Sequence, residues 1–260
     1  MNESNLYSGF QTLINRPKQK SKPIIIWDLD GTIIDDSLYR TCAQNVFQKI
    51  FGIKITDEEY NIYFENQNYC HHTTKQFLLN NNIYPKDIPA LEEVFDAIDQ
   101  HFRDLLTSGL IQTLGNAVEL ISELHRQGYR QCLVTGSCRE TVDEVLLKLV
   151  PNFFELIIAR KDTFWQKPNS QPYEKCYKSI NADPSDCVII ENSQQGVSSA
   201  RNSGAYVIAC SDNQEMGETL RTFGAHCVTS LSQLTPELIS LFWETFDHNR
   251  QSIAPVMHTL

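Results

Sequence analysis

Short β-rich apolar runs alternate along this chain with segments of helical periodicity, the pattern of a parallel sheet covered by helices on both faces. The runs lie at Pro23 to Trp27, Gln131 to Thr135, Leu156 to Ala159, Cys187 to Ile190 and Ala205 to Ala209. They are continuously apolar, as strands buried on both faces are. Helices are predicted at 116–127, 138–149, 172–180, 195–203 and 214–223, with Gly128 and Gly204 at C-cap positions. The fold class is therefore α/β, and 260 residues are enough to bury a full core.

One stretch interrupts the alternation. From about Ser37 to Thr107 the patterning is helical throughout. Thr56 and Glu59 are spaced as a capping box, and Leu91, Val94, Phe95, Ile98, Phe102 and Leu105 form one apolar stripe. A small four-helix insertion just after the first strand is the expected arrangement. Near the other end, Thr235-Pro236-Glu237 starts a last helix carrying Leu238, Leu241 and Phe242, and the chain beyond about Asp247 reads as a frayed tail. The expected organisation is a flexible extension over 1–22, a core from 23–36 and 108–232, a helical cap over 37–107, and a C-terminal helix and tail over 233–260.

The formal net charge of -10 argues against non-specific nucleic-acid binding, which needs Lys and Arg to neutralise phosphates. No run approaches the roughly 18 apolar residues of a membrane span. Residues 1–22 carry Arg16, Lys18, Lys20 and Lys22 with no apolar h-region, unlike a secretory signal peptide. The eight cysteines include no C-x-x-C pair, and several sit inside apolar runs such as Gln131-Cys132-Leu133-Val134. Reduced thiols and a cytoplasmic setting are expected.

The chemistry concentrates where Ile24-Ile25-Ile26-Trp27 runs into Asp28-Leu29-Asp30-Gly31-Thr32. Ligands of open parallel sheets bind beyond the carboxyl ends of the strands, so these carboxylates stand where catalytic groups belong. The i, i+2 spacing lets Asp28 and Asp30 reach one pocket while Leu29 turns away. Two neighbouring carboxylates separate their pKa values or take up a cation, which prepares one as nucleophile and the other as acid.

Asp28-Leu29-Asp30-Gly31-Thr32 resembles the first motif of the haloacid dehalogenase-like phosphatases, and further stretches follow in the family's order. Leu133-Val134-Thr135-Gly136-Ser137 looks like the second motif, and Lys167-Pro168 followed by Pro172-Tyr173 looks like the third. Val188-Ile189-Ile190-Glu191-Asn192-Ser193-Gln194-Gln195-Gly196-Val197 looks like the fourth. The likeness spans about residues 23 to 230 and implies a Rossmann-like sheet with a helical cap.

It also implies roles. Asp28 would attack phosphorus and carry it as an aspartyl-phosphate. Asp30 would protonate the leaving oxygen and later activate water. Thr135, Gly136 and Ser137 would donate to the phosphate, and Lys167 would supply positive charge. Magnesium is the implied cofactor, with Asp28, the Asp30 carbonyl, Glu191 and Asn192 as its ligands. Asn192 departs from the family's usual Glu-Asp pair, because an amide oxygen can ligate but brings no charge. Ser193 contacts a metal-bound water or caps the following helix.

The implied partner is a small phosphorylated metabolite. The loop Glu65-Asn66-Gln67-Asn68-Tyr69-Cys70-His71-His72-Thr73 offers Tyr69 and His72 as substrate contacts. The resemblance leaves two alternatives. One is a sugar-phosphate mutase-like phosphotransferase, although the mutases' histidine twelve residues past the nucleophile is replaced here by Arg40. The other is a weakly catalytic binder of phosphorylated ligands, suggested by Asn192. Asp30 speaks against dehalogenation. The residues do not fix the oligomeric state.

Overall fold

The computed structural model describes residues 22–65, 71–84, 91–110, 112–149 and 152–253. The extension at 1–21, most of the 65–73 loop and the end of the C-terminal tail therefore lie outside the described residues. Six parallel strands form one sheet: β1 (Ile24–Trp27), β2 (Gln131–Val134), β3 (Leu156–Ile158), β4 (Cys187–Glu191), β5 (Tyr206–Cys210) and β6 (Cys227–Thr229). Their spatial order is β3-β2-β1-β4-β5-β6. The chain moves outward on one side of β1 and then returns to build the other side, so the order reverses between β1 and β4. At such a switch point the flanking connections diverge and leave a crevice at the carboxyl ends of the strands.

Each central strand is buried on both faces, which explains its unbroken apolarity. Successive side chains point to opposite sides. Ile25 and Trp27 enter one core cluster, and Ile24 and Ile26 enter the other. Helices α5 (Ala117–Arg126) and α10 (Pro236–Ile253) cover the first face, while α7 (Gln171–Ile180), α8 (Gln194–Asn202) and α9 (Gln214–Thr222) cover the second. Helix α6 (Arg139–Leu149) follows β2 and contributes Val142 and Val145 to the first cluster. The β6 strand was not foreseen. It is a three-residue edge strand, too short for its pattern to stand out.

The insertion consists of α1 (Ser37–Phe51), α2 (Asp57–Tyr60), a π turn (Asn61–Glu65), α3 (His71–Asn80) and α4 (Leu91–Thr107). Thr56 and Glu59 make the expected capping box. Phe47, Phe64 and Phe77 pack edge to face, with centroids 5.2 to 5.8 Å apart. These rings belong to the same buried cluster as Ile25 and Trp27, so one continuous core joins the insertion to the sheet.

Two apolar assignments need correction. In α4 the buried stripe ends at Leu106, and Leu105 is only partly covered, because steps of four from Ile98 reach Phe102 and then Leu106. Helix α10 extends to Ile253, well past the tail expected from Asp247. Ile239 and Trp243 face the core there, while Leu241 points out and is 57% exposed. The Trp243 Nε1–H donates to the Ser185 carbonyl at 2.9 Å, which fixes the helix against the turn before β4. Among the described residues no helix is long and apolar enough to cross a membrane.

Candidate active site

Strand β1 ends directly at Asp28, β2 at Thr135, and β4 at Glu191 and Asn192. A cavity of about 310 Å³ opens beyond these ends. Asp28, Asp30, Gly136, Ser137, Lys167 and Asn192 line its floor, and Tyr39, Arg40, Tyr60 and Phe64 of the insertion line its opposite side. Residues from distant parts of the sequence thus meet at the switch point.

Lys167 is the centre of the floor. Its Nζ donates to Asp28 Oδ1 at 2.6 Å, to Glu191 Oε1 at 2.6 Å and to the Val134 carbonyl at 3.0 Å. All three ammonium protons are used, and the lysine is nearly fully buried. Burial alone would lower its pKa, but the two carboxylates hold it above the ordinary lysine range.

Glu191 is completely buried, and every oxygen is engaged. Oε1 also accepts from the Tyr173 hydroxyl at 2.9 Å. Oε2 accepts from the Asn192 and Ser193 backbone N–H groups at 3.0 and 3.2 Å and from Ser193 Oγ at 3.1 Å. Burial pushes the Glu191 pKa up, yet Lys167 and these N–H donors more than offset it and keep the carboxyl below its usual range. Among the described residues no backbone N–H donates to the Asp28 carboxylate. Burial and the neighbouring Glu191 charge raise its pKa, only partly countered by Lys167.

Glu191, expected among the metal ligands, turns inward here to Lys167 and the start of α8 and does not line the cavity. Ser193 acts as a helix cap: its Oγ accepts from the Gly196 N–H at 3.0 Å. Gly196 itself leaves room for the Glu191 carboxylate. A Cβ there would lie 1.8 Å from Oε1. Gly196→Ala is therefore expected to cost about 2–3 kcal/mol of stability through overpacking. Urea denaturation measures this, and an unchanged midpoint would contradict the packing account.

Asp30 lies on the β2 side and is half-buried. Its Oδ2 accepts from Thr135 Oγ1 at 2.9 Å and from Ser137 Oγ at 2.7 Å, while Oδ1 is buried with no hydrogen-bond partner among the described residues. Burial raises its pKa despite the two hydroxyl donors, which suits a carboxyl that holds a proton. Thr135 and Ser137, expected as phosphate donors, here serve Asp30. Gly31 turns the chain after Asp30 with φ +76°, and its missing Cβ lets the Asn192 amide approach. Asn192 Oδ1 accepts from Thr32 Oγ1 at 3.0 Å.

Tyr69 lies outside the described residues. His72 is exposed in the first turn of α3 and does not line the cavity, because Thr74, Phe77 and Leu78 take the buried face of that helix. The substrate side of the cavity is instead built by Tyr39, Arg40, Tyr60 and Phe64. Arg40 stacks over the Tyr60 ring at 4.9 Å and donates to Asn61 Oδ1 at 3.0 Å. Asp36 and Arg160, also in the lining, were missed. Asp36 directly precedes α1, and Arg160 follows β3, the position beyond a strand end that could have flagged it.

The donors fit magnesium, which takes oxygen ligands, keeps several waters and is commonly held by only one or two carboxylates. Asp28, Asp30 and Asn192 line the cavity floor, and between them they carry a carboxylate, a backbone carbonyl and an amide oxygen of the kind that ion takes. Among the described residues no three His, Cys, Asp or Glu side chains cluster as a metal cage.

A parallel sheet with an acidic pair at its switch point, a buried lysine between carboxylates and a helical insertion over the site define a class of hydrolase core. Residues 25–210 match the family described as haloacid dehalogenase-like hydrolase, and the chain belongs to that family and is an enzyme of its hydrolase type. It is 24% identical over 199 residues to the pyrophosphatase PpaX of Bacillus cereus (strain B4264), covering 72% of this chain and 82% of that one. The fold is similar to a family IA, variant 3 hydrolase from Entamoeba histolytica, with a TM-score of 0.73 and 21% identity over 85% of this chain and 99% of the other. It is also similar to β-phosphoglucomutase from Clostridium difficile, with a TM-score of 0.69 and 19% identity over 88% and 100%.

Proposed function

We propose that the enzyme is a magnesium-dependent phosphatase that hydrolyses a small phosphomonoester through a phosphoryl group carried on Asp28. The observation that carries this reading is Lys167 bonded to Asp28 at 2.6 Å, beside a half-buried Asp30 held by two hydroxyls, at the floor of one cavity. Lys167 holds the nucleophile in place and offsets charge as phosphate binds. Asp28 Oδ forms a bond to phosphorus while the bond to the leaving oxygen breaks, and Asp30 gives that oxygen its proton. Asp30, now ionised, takes a proton from the water that hydrolyses the aspartyl-phosphate. Magnesium, held by the Asp28 carboxylate, the Asp30 carbonyl and the Asn192 amide oxygen, would neutralise charge on the phosphate oxygens.

The cavity volume of about 310 Å³ is at the small end for ligand sites, which favours a small metabolite. The similarity to the pyrophosphatase supports a phosphate-transfer substrate. Hydrolysis of p-nitrophenyl phosphate and of a panel of metabolite phosphoesters, with and without magnesium, tests the reading. Absence of magnesium-dependent phosphate release from every compound would overturn it.

Asn192 motivates a second reading, a binder of phosphorylated ligands with little turnover. Asn192→Asp keeps the acceptor for Thr32 and adds a charge, so magnesium affinity is expected to rise by about tenfold or more. Magnesium titrations of activity and calorimetry on both proteins measure this. An inert wild type rescued by the substitution would favour the binder, whereas an unchanged magnesium constant would remove Asn192 from the metal set.

A further inference from the structure

Arg160 belongs to none of the motifs that carry the chemistry, yet it touches both halves of the site. It starts the short 3-10 turn after β3. Its Nη1 and Nη2 donate to Asp99 Oδ2 and Oδ1 at 2.8 and 3.2 Å, a two-pronged pair. Asp99 lies on α4 of the insertion, and its side chain is only 2% exposed. The Tyr39 hydroxyl of α1 donates to the same carboxylate. On the other side, Arg160 Nε donates to the Gly136 carbonyl at 2.7 Å, and its backbone N–H donates to the Ser137 carbonyl at 3.0 Å. One residue therefore grips two successive carbonyls of the loop that presents Ser137 and Thr135 to Asp30.

A buried carboxylate needs its counter-ion, so Asp99 can stay in place only while Arg160 meets it. Lysine could not replace the planar fork or the separate Nε donor. We propose that Arg160 is a positioning residue. Seated on Asp99, it holds the Gly136–Ser137 turn so that the two hydroxyls fix the Asp30 carboxyl for proton transfer to the leaving oxygen. That transfer then depends on the docking of the helical insertion. The inference rests on the role of Asp30 proposed above.

The test compares Arg160→Lys, Asp99→Asn and Tyr39→Phe with Lys161→Ala. Lys161 makes a second link to the insertion, at 3.9 Å from Asp96, but both side chains are mostly exposed, so its loss should change little. Each protein is assayed on p-nitrophenyl phosphate, whose leaving group needs little protonation, and on a simple alkyl phosphate, whose leaving group needs a proton. General-acid catalysis accounts for about 10²–10⁴-fold, so Arg160→Lys and Asp99→Asn should lower kcat on the alkyl ester by about 10–100-fold. On p-nitrophenyl phosphate the nitrophenolate burst, which reports aspartyl-phosphate formation ahead of the shared hydrolysis in which Asp30 acts as base, should slow by no more than about threefold. A uniform loss on both, matching the unfolded fraction seen by circular dichroism, would make the pair merely structural and overturn the proposal. Should those two variants fail to fold, Tyr39→Phe decides, because it keeps the ion pair. A selective fall on the alkyl ester supports the proposal, and equal rates overturn it. If the wild type releases no phosphate from any ester, the proposed activity fails separately. Amide exchange at Ser137 and Cys138 in Tyr39→Phe then decides on the clamp, with local acceleration supporting it and unchanged protection overturning it.

Discussion

Asp28→Asn is expected to abolish phosphate release, lowering turnover by about 10⁴-fold or more, the scale seen when a nucleophile is removed. The amide keeps the shape of the side chain but cannot hold phosphorus. The fold should survive, because Lys167 keeps Glu191 as its charged partner at 2.6 Å and the Val134 carbonyl at 3.0 Å. Circular dichroism and a melting curve would check this. A well-folded Asp28→Asn protein that still turns over at a tenth of the wild-type rate would remove Asp28 as nucleophile. It would not disturb the family assignment, which rests on the match over residues 25–210.

Lys167→Met should do more damage to stability than any surface change. Asp28 and Glu191 are 8% and 0% exposed as side chains, and the ammonium between them is their shared counter-charge. Removing one partner of a buried ionic group costs about 3–5 kcal/mol, because a charge is left buried and uncompensated. For a chain of this size that corresponds to a fall in Tm on the order of 10 °C. The pH dependence has a definite sign. Burial and Glu191 already raise the Asp28 pKa, and Lys167 is the main neighbour that lowers it. Without the lysine the folded-state value rises further. A group with a raised folded pKa favours folding below its unfolded pKa of about 3.9, and that contribution is lost as pH rises through the folded value. The deficit of Lys167→Met should therefore be larger at pH 8 than at pH 5. Equal melting deficits at the two values would show that the variant relieves the charge by repacking or hydration.

The sheet was legible because burial on both faces leaves a one-dimensional trace. Each central strand reads as a short unbroken apolar run, and the run ends where backbone and side chains meet the crevice. Asp28, Asp30, Thr135 and Lys167 could be picked out for the same reason, since each stands beside a strand end or in a stretch resembling a family motif. The insertion announced itself as helix wherever the stripe was long, as in α4. At its edges the same reasoning slipped. Leu105 and Leu106 are adjacent leucines, and only the drift of the helix against its neighbours selects the second. Asp99 lay within the apolar stripe as a carboxylate at a core-facing position, four residues after Phe95, and went unread. Its partner Arg160 is 61 residues away, and no local pattern connects them.

By itself, then, the sequence determined the α/β class, the place of the helical insertion and the residues able to carry chemistry, because these depend on local periodicity and on residue type. Only the tertiary structure decided what those residues face. It turned Glu191 away from the cavity, where Lys167, Tyr173 and the start of α8 satisfy its oxygens. It gave Thr135 and Ser137 to Asp30, and placed His72 outside the cavity that Arg40 and Tyr60 line. The physical reason is the same in each case. Most buried polar atoms take a partner within about 3 Å, and which partner is that near is fixed by how distant segments pack.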